Sequence, residues 1–233
     1  TALLVLVIVA PLAASFVEIF RTSATRPPRL DELLFAAKLS LSTATVAAGL
    51  AILLGTPAAY LLARRRFPGK VLVDTVLDLP LVVSPIALGV MLLVFFRTGA
   101  GSAIERLGGP FVFDVRGIVL AQFVVVIGLA VRMLKVAFEE IDPEYELLAR
   151  SLGATELGAF RRVTLPLARR GLGAAFLMVW ARALGEFGAT VIVAGNIPGL
   201  TQTIPSAIYQ RVQVGDNAAA GRLVLVSVVL ALV

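Results

Sequence analysis

The chain has 233 residues, 59% hydrophobic and only 15% charged, with a formal net charge of +6. An average soluble domain carries about 25% charged residues. Here the charges gather in short blocks between long apolar runs, which excludes a large soluble core and predicts an all-α polytopic membrane bundle. With no cysteine and no histidine, disulfides, thiolate or imidazole metal sites and a histidine proton relay are excluded. No basic, aromatic-interleaved surface for nucleic acid can be drawn.

A membrane span needs about 20 apolar residues, and about six segments qualify or nearly do. The first is roughly 1–20. It imitates a signal peptide but shows no basic leader and no clear cleavage site, so it reads as a span. The second is roughly 33–63 and carries a stripe of small residues, Ser40, Ala44, Ala47, Ala48, Ala51 and Gly55, suited to close helix approach. The third is roughly 71–96, with Pro80 and Pro85 near Ser84 and Gly89. These prolines predict a kink that either lines a pore or serves packing. The fourth, roughly 116–137, is the weakest, because Arg132 and Lys135 have to snorkel from its end. The fifth is roughly 170–194, and the sixth begins near 217. Both chain ends lie inside apolar runs, as if cut short. The whole chain reads as one transmembrane domain, 1–233.

Orientation follows from loop Lys and Arg. The larger set is Arg64, Arg65, Arg66 and Lys70 together with Arg132, Lys135, Arg150, Arg161, Arg162, Arg169 and Arg170. These blocks should face the cytoplasm, as should both chain ends if there are six spans.

The loop at about 138–170 is built like folded helices. Asp142 is a good N-cap, Pro143 suits the first helical position, and Glu144 and Glu146 place negative charge in the first turn. Tyr145, Leu148 and Leu152 form an apolar stripe, and Gly153 can end the helix in a left-handed cap. Thr155 caps a second short helix carrying Leu157, Phe160 and Val163, which Pro166 is expected to break. The apolar stripe suits either a lipid surface or a partner protein.

Glu146-Leu-Leu-Ala149-Arg150-Ser-Leu-Gly153-Ala154, then Phe160, Val163 and Leu165-Pro166, resembles the EAA loop of ABC-importer permeases. Leu148 departs from that family's usual small residue. Arg66-Phe-Pro-Gly-Lys70, Leu184-Gly-Glu-Phe-Gly-Ala-Thr190 and the run from Gly195-Asn-Ile-Pro-Gly to Thr203-Ile-Pro-Ser-Ala-Ile-Tyr209 resemble its molybdate/tungstate branch. The sulfate/thiosulfate permeases are a related alternative. The resemblance covers nearly the whole chain. It implies a multi-pass subunit of a prokaryotic cell membrane, a second permease copy, a cytoplasmic ATPase docked on the loop and an extracytoplasmic oxyanion-binding protein. It also implies ATPase-coupling roles for Glu146, Ala149, Arg150, Gly153, Ala154, Phe160, Leu165 and Pro166. No Gly-x-x-x-x-Gly-Lys-Ser/Thr phosphate loop occurs, so no cofactor is expected on this chain, and ATP and Mg are expected on the ATPase.

Glu186 reads as the one acid deep in an apolar segment, with Arg182 four residues earlier on the same face. The pair is either a buried structural ion pair or part of a pathway or gate. A bare carboxylate repels an oxyanion, so Glu186 is not expected to be a ligand. Gly185 and Gly188 allow close approach or local unwinding. Asn196, Thr201, Gln202, Thr203 and Ser206 offer neutral donors, suited to a weak anion path or to loop and docking contacts. The candidate pathway residues are therefore Pro85, Glu186, Gly188, Thr190, Thr201 and Ser206. Two other classes fare worse. A secondary transporter or channel wants repeats or several intramembrane acids, and a membrane enzyme wants convergent catalytic groups.

Overall fold

The structure, a computed structural model, describes residues 30–232 and, before them, positions 7, 10 and 13. Apart from those three positions, the expected first span thus lies outside the described residues. Among the described residues every regular element is helical. They fall into two compact units, one of residues up to Leu41 with Gly195–Val233 and one of Ser42–Ala194.

The longest helix, α1, runs Leu30–Arg64, with Asp31 and Glu32 in its first turn and Arg64 in its last, matching the helix dipole at both ends. Its small-residue stripe is buried: Ala44, Ala47, Ala48 and Ala51 have no exposed surface. A Cβ on Gly55 would stand 3.3 Å from the Val131 side chain, so the stripe is packing surface.

The expected third span is two helices, α2 (Lys70–Val82) and α3 (Pro85–Phe96), bent by 108°. Proline pushes its predecessor out of the helical region, and Ser84, before Pro85, sits at φ −55°, ψ 136°. Pro80 stays inside α2 without breaking it. The expected kink is therefore a break, placed by Ser84-Pro85 alone. After α4 (Gly99–Gly108) comes α5 (Val115–Glu139). By sequence the weakest span, α5 is the helix the unit is built around. Ile118, Ala121, Val126, Ala130 and Leu134 are fully buried, packed against alanines of α1 and of the later helices.

Helices α6 (Glu144–Ser151) and α7 (Glu156–Ala159) form the loop. A π-helical turn, Phe160–Thr164, then joins α7 to α8 (Leu165–Leu184). Here a sequence expectation is corrected: Pro166 does not end the helix. An ordinary turn would set its ring against the Arg162 carbonyl. The wider π turn, in which the Leu165 N–H reaches the Phe160 carbonyl, lets the helix pass through. A second break, of 58°, separates this helix from α9 (Gly188–Ala194).

In the other unit, α10 (Ile204–Gln213) and α11 (Asn217–Leu232) follow the Gly195–Thr203 loop. Among the described residues two helices, α1 and α5, are long and apolar enough to cross a bilayer unbroken, or up to four spans if each bent pair is one.

Candidate functional site

The loop helix α6 begins where the sequence predicts. The Asp142 carboxylate accepts the Glu144 N–H at 2.9 Å. It ends in a Schellman motif: the Ala154 N–H donates to the Ala149 carbonyl and the Gly153 N–H to the Arg150 carbonyl, both at 3.0 Å. Gly153 has φ +93°, a conformation that L side chains rarely adopt. The Thr155 hydroxyl accepts the Gly158 N–H at 3.1 Å and starts α7.

The apolar residues of the loop divide. Tyr145, Leu147, Leu148, Leu152 and Leu157 are exposed, Leu152 to 82%. Phe160 turns the other way. Its ring meets Tyr60 at 4.6 Å and Phe138 at 6.0 Å, so it anchors the loop on α1 and α5. Arg150, Leu165 and Pro166 are exposed, and Ala149 and Ala154 are half-buried.

Glu146 points inward. One carboxylate oxygen accepts the Tyr60 hydroxyl at 2.6 Å. The other accepts Arg64 Nε at 2.9 Å and the Thr164 hydroxyl at 2.7 Å. Burial alone would raise its pKa, but hydrogen bonds from Tyr60 and Thr164 and the Arg64 charge outweigh that and hold it below the usual carboxylate range. Sequence reasoning gave Glu146 a dipole role, and the resemblance an ATPase-coupling one; neither pointed to Tyr60, Arg64 and Thr164. One signal was available, since Tyr60 and Arg64 are four apart on one helix face. Nearby, Arg65 pairs with Glu156, both more than half exposed, which adds little.

Four of the candidate pathway residues meet at the two helix breaks. A Cβ on Gly188 would stand 3.1–3.2 Å from Ile86 and Pro85, and one on Gly89 would stand 2.9–3.1 Å from Ile192 and Ala189. Glycine at both positions lets α3 and α9 touch. Glu186, 2% exposed, accepts Arg182 Nη1 at 2.7 Å and caps α9 by accepting the Ala189 N–H at 3.0 Å. Both readings of its role stay compatible with that geometry. Thr190 is fully buried, and its hydroxyl has no partner among the described residues.

Thr201 and Ser206 lie in the other unit and are buried in its own hydrogen bonds. The Thr201 hydroxyl accepts the Ile197 N–H at 3.1 Å. The Ser206 hydroxyl accepts the Thr203 N–H at 2.9 Å, while the Ile204 N–H donates to Ser40 Oγ at 2.9 Å.

Glu186 is not the only acid in an apolar helix. Asp74 and Asp78 lie on one face of α2, where Asp74 accepts Lys135 Nζ at 3.2 Å and Asp78 pairs with Arg132. Lys135 and Arg132 therefore reach acids on a neighbouring helix. A Cβ on Gly128 would stand 2.2 Å from the Leu77 carbonyl oxygen, so α2 and α5 touch there.

Broken and unbroken apolar helices, with a loop latched on one side and its leucines facing outward, describe a polytopic membrane protein. Residues 36–233 match the family described as "Binding-protein-dependent transport system inner membrane component", and the chain belongs to it. The chain is 42% identical over 200 residues to the molybdenum transport system permease protein ModB of Escherichia coli K12, covering 84% of this chain and 87% of that protein. It is 35% identical over 236 residues to the sulfate transport system permease protein CysW of Synechocystis, covering 99% of this chain and 85% of that one. Its fold matches a chain of the inward-facing MetNI methionine ABC transporter with TM-score 0.68 at 20% identity, covering 85% of this chain and 89% of that one. The chain is thus the permease component of an ABC importer.

Proposed function

We propose that the permease carries a tetrahedral oxyanion, molybdate or tungstate, into the cytoplasm. ATP is hydrolysed on a separate cytoplasmic subunit that docks on the 138–170 loop. A second permease copy completes the path, and an extracytoplasmic binding protein delivers the anion. The observation that carries the docking reading is the loop's outward face. Leu147, Leu148, Leu152 and Leu157 are all more than half exposed on helices capped and latched on their other side. Apolar side chains held this way suit a cleft in a protein partner. The substrate rests on the likeness to ModB over most of the chain.

Pro85, Glu186, Gly188 and Thr190 form the part of the path at the helix breaks, with Thr201 and Ser206 supporting the other unit's loop. Selection belongs to the binding protein, because a conduit must release its ion as readily as it admits it. The test is uptake of labelled molybdate by cells carrying this permease with its ATPase and binding protein, competed by tungstate and by sulfate. Competition by tungstate and not sulfate is expected. Preferential sulfate uptake would replace the molybdate or tungstate assignment, and uptake without the ATPase would end the docking reading.

A further inference from the structure

We propose that Tyr60, Arg64 and Thr164 are positioning residues that tie the loop to the bundle through Glu146, and that Glu146 acts inward on them instead of touching the docked partner. This rests on the docking reading above and assigns the loop's other face.

The carboxylate is already held by three bonds from its own chain. It receives three donors at 2.6–2.9 Å, one on one oxygen and two on the other. Its side chain is 12% exposed and that of Arg64 9%. A cation from a partner would have to compete with these bonds for a carboxylate that is turned largely away from the surface. Its neighbours Leu147 and Leu148, by contrast, are about 60% exposed. One helix therefore docks with one face and is held by the other.

The three donors come from two elements far apart in the sequence. Tyr60 and Arg64 end the long helix α1, and Thr164 closes the π turn that runs into α8. The Tyr60 ring is itself set edge-on to Phe138, the penultimate residue of α5, at 5.8 Å, and to Phe160 at 4.6 Å. The Glu146 carboxylate is thus the joint at which the docking helix meets α1 and the π turn, with α5 reached through the Tyr60 ring.

Arg64 is specialised for this task. Its Nη2 is buried without a partner among the described residues. Burying an unsatisfied donor is unfavourable, and a guanidinium is placed there only where the carboxylate's charge offsets it. The Thr164 hydroxyl lies in a fully buried residue, directed at the same oxygen as Arg64. A hydroxyl bonded to an ionised group is worth more than one bonded to a neutral group. Removing either the Tyr60 or the Thr164 hydroxyl should shift the loop's latched population by about tenfold or more.

The test uses the assembled transporter, with Tyr60→Phe, Thr164→Val and Thr164→Ser on the inward side and Leu152→Asp on the outward side. In Tyr60→Phe and Thr164→Val the ATPase should co-purify at near-normal yield, while the ATP hydrolysed per anion taken up rises several-fold. Thr164→Ser, which keeps the hydroxyl, should behave as the parent. Leu152→Asp should lose the ATPase. Amide exchange across 144–151 in the permease without its ATPase reads the latch alone. It should speed up about tenfold in Tyr60→Phe and Thr164→Val and stay unchanged in Leu152→Asp. Unchanged exchange and unchanged coupling ratio in Tyr60→Phe would overturn the proposal, as would ATPase loss in step with uptake. Retained ATPase in Leu152→Asp would instead overturn the docking reading, leaving the exchange result to decide the latch.

Discussion

Gly153 turns one loop helix into the next, and its replacement isolates a purely conformational effect. Its φ is +93°, and a Cβ added there would meet nothing within 4 Å. No neighbour has to move, so the change acts through the backbone alone. A non-glycine residue in the left-handed region costs about 1–2 kcal/mol, and a β-branched one lies at the upper end or beyond. Every 1.4 kcal/mol is about tenfold, so Gly153→Val should cut the native loop population by about tenfold or more. Both Schellman bonds, from Ala154 to Ala149 and from Gly153 to Arg150, depend on this geometry. Gly153→Ala should be milder, and Gly153→Asn milder still, since asparagine tolerates the left-handed cap. The assay is membrane abundance, ATPase co-purification and ATP-driven uptake across the series. Abundance should hold, while the other two fall in the order Asn, Ala, Val. Full uptake and full ATPase association in Gly153→Val would refute the reasoning, and an Asn variant as damaged as Val would show that backbone conformation is not the cause.

Gly89→Val should abolish uptake without loss of ATPase association, because its Cβ would stand 2.9 Å from the Ile192 Cβ and 3.0 Å from the Ala189 backbone. Gly49→Ala, whose Cβ would meet nothing, should instead raise the melting temperature slightly, by the 0.5–1 kcal/mol or so that a helix-interior glycine forfeits. Thr201→Ala and Ser206→Ala should change the rate of uptake, through loss of about 1 kcal/mol of loop and cap hydrogen bonding each. They should leave the molybdate-to-sulfate preference unaltered in the competition assay. The Glu146 pKa is lowered on folding from an ordinary value of 4.5. Its contribution, set by Arg64, Tyr60 and Thr164 with the Arg65–Glu156 pair nearby, is therefore present above that value and lost as pH falls through the lower folded one. Parent and Glu146→Gln should differ in melting temperature at pH 7 and converge as the pH falls below 4.5 and through the lower folded value.

What the sequence made legible was local. Caps and turn residues act within a few positions, so Asp142, Thr155 and Gly153 were readable from spacing alone. The small-residue stripe of α1 was readable because its period is that of a helix. What escaped was pairing over distance. Lys135 and Arg132 looked like snorkelling ends because their acids, Asp74 and Asp78, lie on another helix. Glu146 looked like a dipole partner because two of its donors, Tyr60 and Arg64, are more than 80 positions away. Prolines were ambiguous for a related reason: their effect depends on whether the preceding turn can widen or the preceding residue can extend. Ser84-Pro85 takes the second course and breaks the helix, while Leu165-Pro166 follows a π turn and continues it.

That contrast bears on how a loop displacement could reach the path. From Glu156 to Leu184 the chain is one helix, roughly 40 Å long at 1.5 Å per residue. Its first turns carry exposed Leu157 and the Thr164 bond to Glu146. Its far end stops at Gly185, where Glu186 at once caps α9, and α9 rests on α3 through Gly188 and Gly89. Because the helix runs unbroken past Pro166, it can carry motion entering at the loop toward its far end. Had Pro166 broken the helix, the loop would hang on a hinge and the same push would be spent there. The wide turn at Phe160–Thr164 keeps the helix whole, and the break at Gly185–Phe187 then becomes the first place where α9 and α3 can pivot, beside the residues that make up the proposed path.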